Sequence, residues 1–312
     1  MSLPISCNKD RWWEGYNVYL ENSDVQEHVG EWIEDDFESK VVKILYDGLG
    51  GDNIGVDQPL RVLGIGSAEG QQEILQLEKL KTKFSKLSTT VIEPNKQMFL
   101  QYQETVRQKS SDLTGIEFEW HNQTYQDYVI LHGVKKKYHF ISMVHSIYYV
   151  GDSDLEETIK ELYDILVPGG VILMLLLTDH TGIGKLLHTF PNLATQEQNS
   201  APSDPSMTKS NRLINSTDVK SILDKHQIAY TQSELREFLN ITACFTGIDA
   251  AKRNLLLDIL TQTIDFKASV STTVYNQVLD FVKDHMSVRK SHHNDDELCY
   301  FDTVNDILLI TK

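Results

Sequence analysis

Basic side chains are scarce in this 312-residue sequence. Lys and Arg total 29 against 45 Asp and Glu, a formal net charge of −16. Phosphate backbones are bound through clustered Lys and Arg, so nucleic acid is excluded as a general partner. Cationic small molecules suit the acidic balance. Cysteine is scarcer still: Cys7, Cys244 and Cys299 are too few and too scattered for a disulfide framework or a zinc cage. Long apolar runs are absent. The longest, near Val171–Leu177, falls far short of the roughly 20 residues that a membrane-spanning helix needs. Met1–Trp13 is polar and broken by Pro4, Lys9, Asp10 and Arg11, which is not the pattern of a signal peptide. The sequons at Asn122, Asn215 and Asn240 mean little without export. A soluble, cytoplasmic chain with no membrane partner is expected. Internal repeats and low-complexity tracts are also lacking.

What is present is a globular composition, 40% hydrophobic and 9% aromatic. The length suits one large domain or two modest ones. Val25, Val29, Trp32, Ile33 and Phe37 recur at helical spacing, with Ser23 or Asp24 placed to cap. The acidic run 31–38 reads as the wet face of that helix. The pattern continues through Val41, Val42, Ile44 and Leu45, then stops in a glycine-rich loop at Gly48–Asp52. Strands are expected at 60–65, 89–92, 115–120, 139–144 and 171–177. Helices are expected at 71–80, 95–108 and 155–166. Pro168-Gly169-Gly170 reads as a turn into the last of these strands. Alternating strands and helices, with strands apolar on both faces, predict a covered parallel sheet. Beyond Thr178 the pattern predicts an irregular loop at 191–210, helices at 217–225, 255–263 and 274–282, and returning strands at 227–235 and 307–310.

The chemistry begins at Gly64-Ile-Gly66-Ser-Ala-Glu-Gly70, which leaves a strand and opens a helix. Glycines there let backbone approach a ligand closely. Alone the motif is weak, and each glycine is equally an ordinary turn. The dinucleotide fingerprint wants a third glycine where Glu69 stands. Gly66-x-x-x-Gly70 fits an S-adenosylmethionine loop better. Glu93 ends the second strand, where a carboxylate accepts the two ribose hydroxyl protons and repels a 2′-phosphate. Leu166-Val-Pro-Gly-Gly170 before an apolar strand is the third element of that pattern. A Tyr-x-x-x-Lys pair after the fourth strand is lacking, which argues against a short-chain reductase. Asp179–Lys185 lacks the full spacing of a phosphate loop and the Ser or Thr that should follow. His292-His293 with Asp295, Asp296 and Glu297 has metal-ligand types, but consecutive placement gives poor geometry. A solvated loop and no metal are expected there.

These residues resemble the histamine N-methyltransferase family from about Trp12 to Ile310. The likeness rests on Leu63–Gly70, Val91-Ile-Glu-Pro94, Phe118-Glu-Trp-His121 and Phe140–Val144. It also rests on Ile147-Tyr-Tyr-Val150 with Asp152, and on Leu256–Thr261 with Phe266. The resemblance implies a Rossmann-like, seven-stranded class I methyltransferase fold using S-adenosylmethionine. It also implies a small amine or imidazole acceptor, histamine by family; a monomer is expected. It implies a helical cap at 1–52 that contributes to the substrate pocket and a cofactor-binding core at 53–180. A substrate subdomain with returning strands would occupy 181–312.

Cofactor positions carry over onto Gly66, with Gly70 closing the loop, and onto Glu93. Val144 takes an aliphatic position beside the cofactor. The family glutamine after the acid falls at Met98, with Gln97 beside it. The family serine after Trp-His falls at Tyr125, with Thr124 before it. On the acceptor side the family acid falls at Val25, flanked by Asp24 and Gln26. An asparagine falls at Thr303, a glutamine at His145, and two tryptophans at Ile183 and Leu187. Trp12 and Tyr16 stay aromatic and, with Tyr148, Tyr149, Phe190 and Phe301, are candidates to line a pocket. No catalytic dyad is found. Methyl transfer to a neutral imidazole needs positioning rather than a strong base. A non-catalytic binding protein on the same fold, or a nicotinamide enzyme, are the competing readings.

Overall fold

The computed structural model describes residues 9–51, 58–133, 135–150, 154–191, 193, 213–246, 249–290 and 297–312. Cys7, Asp52, Asp152, His292, His293, Asp295, Asp296 and nearly all of the loop expected at 191–210 lie outside the described residues. The chain opens with α1 (Lys9–Asn22), α2 (Val25–Asp35), a π-helical turn (Glu38–Val42) and α3 (Lys43–Gly48). There follow β1 (Leu60–Ile65), α4 (Gln71–Leu80), β2 (Leu87–Ile92), α5 (Lys96–Gln108), β3 (Ile116–His121) and α6 (Tyr125–His132). Next come β4 (Tyr138–Val144), α7 (Leu155–Ile165), β5 (Leu166–Leu177), α8 (Gly182–Thr189) and α9 (Ser216–Lys225). The last part holds β6 (Tyr230–Asn240), α10 (Thr242–Phe245), α11 (Ala250–Thr261), α12 (Phe266–Ser269), α13 (Thr272–Asp284), β7 (Met286–Lys290) and β8 (Glu297–Thr311).

The sheet runs in the order β3-β2-β1-β4-β5-β8-β6, with β7 added to β8 as an antiparallel neighbour. The pairs β1–β2, β1–β4, β2–β3 and β4–β5 are parallel. β8 runs against β5: Lys312 N donates to Gly170 O at one end, and Thr178 N to Val304 O at the other. This is the class I methyltransferase fold, with one strand beyond the expected seven. β1, β2 and β4 are buried on both faces, whereas the edge strand β3 alternates. Their Val, Ile and Leu side chains each contribute ~1.5–3 kcal/mol when fully buried.

Two compact units divide the chain. One holds Met1–Gln26, Leu177–Ser216 and Arg236–Asn305; the other holds Glu27–Leu176, Thr217–Leu235 and Asp306–Lys312. The segment 1–52, expected as one cap, is therefore shared: 27–51 packs with the sheet unit. There Val29, Trp32, Ile33, Phe37, Val41 and Leu45 are buried, and Phe37 meets Phe140 of β4 edge-on at 5.7 Å.

Some expected elements differ. Pro168–Gly170 is not a turn before β5 but an irregularity within it: Tyr138 pairs with Leu166, yet Phe140 pairs with Val171. The extra residues bulge out because proline cannot donate to the ladder. α6 escapes sequence periodicity because its apolar residues ring the helix; Ile130 is 79% and Leu131 69% exposed. The strand expected at 227–235 lies at Tyr230–Asn240, and the one at 307–310 is the last third of the much longer β8. Ser23, not Asp24, caps α2, its Oγ accepting from Val25 N at 3.1 Å.

Candidate functional site

In the sheet unit the chain leaves β1 outward to β2 and β3, then returns to β4 beside β1. That reversal makes a crevice at the carboxyl ends of β1 and β4, the place where open α/β sheets bind ligands. The backbone is unusual on both sides of it. Gly66, Ala68 and Gly70 have φ of 66°, 49° and 80°, and His145 has 52°. A non-glycine residue with positive φ is uncommon and gathers at functional sites. A Cβ on Gly66 would lie 2.5 Å from Ser146 Cβ, and one on Gly70 would lie 2.1 Å from the Tyr102 ring. Only glycine lets the loop lie this close to β4 on one side and α5 on the other.

Glu93 ties this loop to β2. Its carboxylate is 5% exposed. Oε2 accepts from Ala68 N at 2.9 Å, and Oε1 accepts from Asn95 N at 2.7 Å. Burial pushes its pKa up, while the two amide bonds pull it down. Each oxygen keeps a further lone pair after its amide bond. Asn95 then caps α5, accepting from the amides of Gln97 and Met98 at 2.9 and 3.1 Å. Gln97 is exposed and Met98 half-buried. Asn122 Nδ2 donates to Glu93 O at 2.8 Å, which brings the start of α6 to the same end of the sheet.

Gly66, Gly70, Glu93, Gln97, Met98, Thr124, Tyr125 and Val144 thus share the carboxyl ends of β1–β4. Their roles differ. Thr124 is taken up by a helix cap, accepting from Asp127 N at 3.1 Å and donating to Asp127 Oδ2 at 2.7 Å. Tyr125 is buried, which pushes its hydroxyl pKa up. Val144 ends β4 half-buried. His145 Nδ1 and Tyr148 Oη lie 3.1 Å apart just beyond it. Tyr149 closes the same 3-10 turn, but its side chain lies outside the described residues.

Two residues here gave no sequence signal. Ser146 is 7% exposed, and its Oγ has no hydrogen-bond partner among the described residues. Glu73 on α4 is buried against Gly64, with the hydroxyls of Ser67 and Tyr102 turned toward it. Burial raises its pKa to about 7, and the two hydroxyls only partly offset this.

The other expected residues sit in the unit that holds Met1–Gln26, Leu177–Ser216 and Arg236–Asn305. Trp12 stacks on Tyr16 at 4.7 Å, and Tyr16 on Tyr19 at 6.3 Å, a ladder along α1. Asp24 Oδ1 accepts from Phe238 N at 2.7 Å, so its carboxylate fastens β6 instead of capping a helix. Val25 is 6% exposed, an apolar core position. Ile183 and Leu187 are buried on α8, Phe190 meets Phe281, and Phe301 is fully buried. Thr303 is buried against Gly182. No group of three or more metal-ligand side chains occurs among the described residues. No helix among them is long and apolar enough to cross a membrane.

No protein-family model matches the chain. Individual proteins do. Histamine N-methyltransferase A of Xenopus laevis is 27% identical over 281 residues, covering 88% of this chain and 87% of that protein. Histamine N-methyltransferase of Danio rerio is 28% identical over 278 residues, covering 88% and 87%. Carnosine N-methyltransferase 2 of Gallus gallus is 28% identical over 266 residues, covering 84% and 75%. The chain resembles histamine N-methyltransferases over most of its length.

Proposed function

We propose that this chain is an S-adenosylmethionine-dependent N-methyltransferase acting on a small amine or imidazole, with histamine the leading acceptor. The observation that carries the reading is Glu93: a buried carboxylate at the end of β2, fixed by the glycine loop's own Ala68 amide. The residues present fit the cofactor. A Cβ at Gly66 would press on Ser146 Cβ at 2.5 Å, so glycine keeps the loop tight against the end of β4. Glu93 retains lone pairs for a ribose diol, and Ser146 Oγ adds a buried hydroxyl seeking a partner. S-adenosylmethionine, when bound, supplies an electrophilic methyl on an excellent leaving group.

The protein's part is then orientation. Gly66 and Gly70 hold the loop close against β4 and α5, and Glu93 would grip the sugar. The His145–Tyr148 pair presents polar groups at the end of β4. A neutral imidazole, with a pKa near roughly 6.5, offers its lone pair at physiological pH without a strong base. That accounts for a site with no acid–base dyad.

Calorimetry with S-adenosylmethionine tests the cofactor site. Glu93→Ala should weaken binding about tenfold or more, as loss of charge-assisted hydrogen bonds does. Tight binding untouched by the substitution would overturn the ribose assignment. The resemblance to a carnosine N-methyltransferase supports a second acceptor, an imidazole dipeptide. Incubation with labelled donor and either histamine or carnosine, read by mass spectrometry, separates the two. Turnover of neither would favour a binding protein.

A further inference from the structure

β6 and β8 are neighbours in the sheet. Ile241 N donates to Cys299 O at 2.8 Å, and Thr311 N to Ala229 O at 3.3 Å. One antiparallel register satisfies both bonds, and it sets Glu237 opposite Thr303, with Phe301 and Asn305 next on the same face of β8. Glu237 is 1%, Thr303 2% and Asn305 0% exposed. The alternate residues lie on the other face. There Arg236 is 3.8 Å from Asp302, and the Arg289 guanidinium lies 4.0 Å from the Phe238 ring centre and 5.2 Å from that of Tyr300.

The face that carries Glu237 is polar and incompletely satisfied. Neither Nδ2 nor Oδ1 of Asn305 has a hydrogen-bond partner among the described residues, and Thr303 Oγ1 is in the same state. A buried unmet amide costs about 1–3 kcal/mol, so its presence in a fold points to a ligand or a water. Aromatic side chains adjoin. The hydroxyl pKa of Tyr19, last in the α1 ladder, is pushed well up by burial and then by the charge of Glu237, which puts the two within electrostatic reach. Asp24, beside the position where the family acid falls, holds the Phe238 amide, one residue from Glu237.

We infer that Glu237, with Thr303 and Asn305 beside it, forms the site that holds the cationic group of the acceptor, an ammonium or imidazolium. This rests on the reading of the acceptor as a small amine or imidazole. A carboxylate and an amide oxygen accept the cation's N–H bonds, the hydroxyl completes them, and aromatic faces attract the charge.

Wild type and Glu237→Gln are titrated calorimetrically with histamine and with its alcohol analogue, in which a hydroxyl replaces the amine. Both proteins are also assayed for methyl transfer. Wild type should bind histamine about tenfold or more tightly than the alcohol, and Glu237→Gln should bring the two within about twofold. The variant should raise the histamine KM about tenfold with kcat within about threefold, and leave S-adenosylmethionine affinity unchanged. Equal binding of amine and alcohol by wild type overturns the site without any variant, even if Glu237→Gln fails to fold. Methylation of histamine with KM unmoved in Glu237→Gln overturns the site and keeps the enzyme. Selective binding through Glu237 with no turnover keeps the site and overturns the methyltransferase reading.

Discussion

At Glu73 the cost of burying charge exceeds every compensating contact. The carboxyl group sits where Gly64 leaves room for it, and its pKa rises to about 7. The sign follows from linkage. The folded chain holds the proton that the unfolded chain loses near roughly 4.5, so stability is fully present below that pH. It declines as pH rises toward 7. Glu73→Gln should therefore stabilise the protein by about 2 kcal/mol at pH 8 and by little at pH 4.5. Urea unfolding at both pH values checks this, and an equal gain at each would contradict it. His139 acts in the opposite direction. Burial first, and then Arg61, lowers its pKa to about 4, and its Nδ1 accepts the Arg61 amide at 2.8 Å. That contribution is lost as pH falls from about 6.5 toward 4. Neither residue stands out in sequence. Glu73 belongs to an ordinary amphipathic helix until Tyr102, from α5, closes over it.

Helix α1 shows how an element is fixed by chemistry its own sequence does not announce. Trp12 and Tyr16 stand out in sequence, but the ladder they form with Tyr19 along the helix is seen only in the fold. So is the helix's anchor. Arg11 Nε and Nη2 both lie 2.8 Å from Asp258 Oδ2 on α11, and Asp258 is fully buried. The same carboxylate accepts from the amides of Asp265 and Phe266 at 3.0 and 2.9 Å, which holds the start of α12. Removing one member of such a buried set leaves a charge and two amides unmet. Asp258→Ala should cost about 3 kcal/mol, seen as a lower midpoint in thermal or urea unfolding. A change under about 0.5 kcal/mol would show the latch to be idle. Close packing supports the same contact, since a Cβ on Gly15 would lie 2.5 Å from Ile259.

For the whole molecule, a net charge of −16 sets up a field that draws cations and repels anions. A cationic acceptor should feel it. Raising ionic strength from about 0.05 to 0.5 M shortens the Debye length severalfold. The histamine KM should then rise about twofold, while binding of its alcohol analogue stays level. Steady-state kinetics and titration across that range check this, and identical salt responses would deny the field any part in capture.

What the amino-acid order determined by itself is local. Apolar runs bounded by glycine and proline marked β1, β2, β4 and β5, and helical spacing marked α4, α5, α7 and α13. Gly66, Gly70 and Glu93 stood out because strand, turn and acid follow one another within a short stretch. Partnership across distance was decided only by tertiary structure. Asp24 and Glu237 are both acids beside polar neighbours in sequence. Pairing with β6 turns the first to a backbone amide, and pairing with β8 sets the second against Thr303 and Asn305. Side-chain type is a property of one position, whereas burial, register and the face a residue takes arise from segments that meet only when the sheet closes.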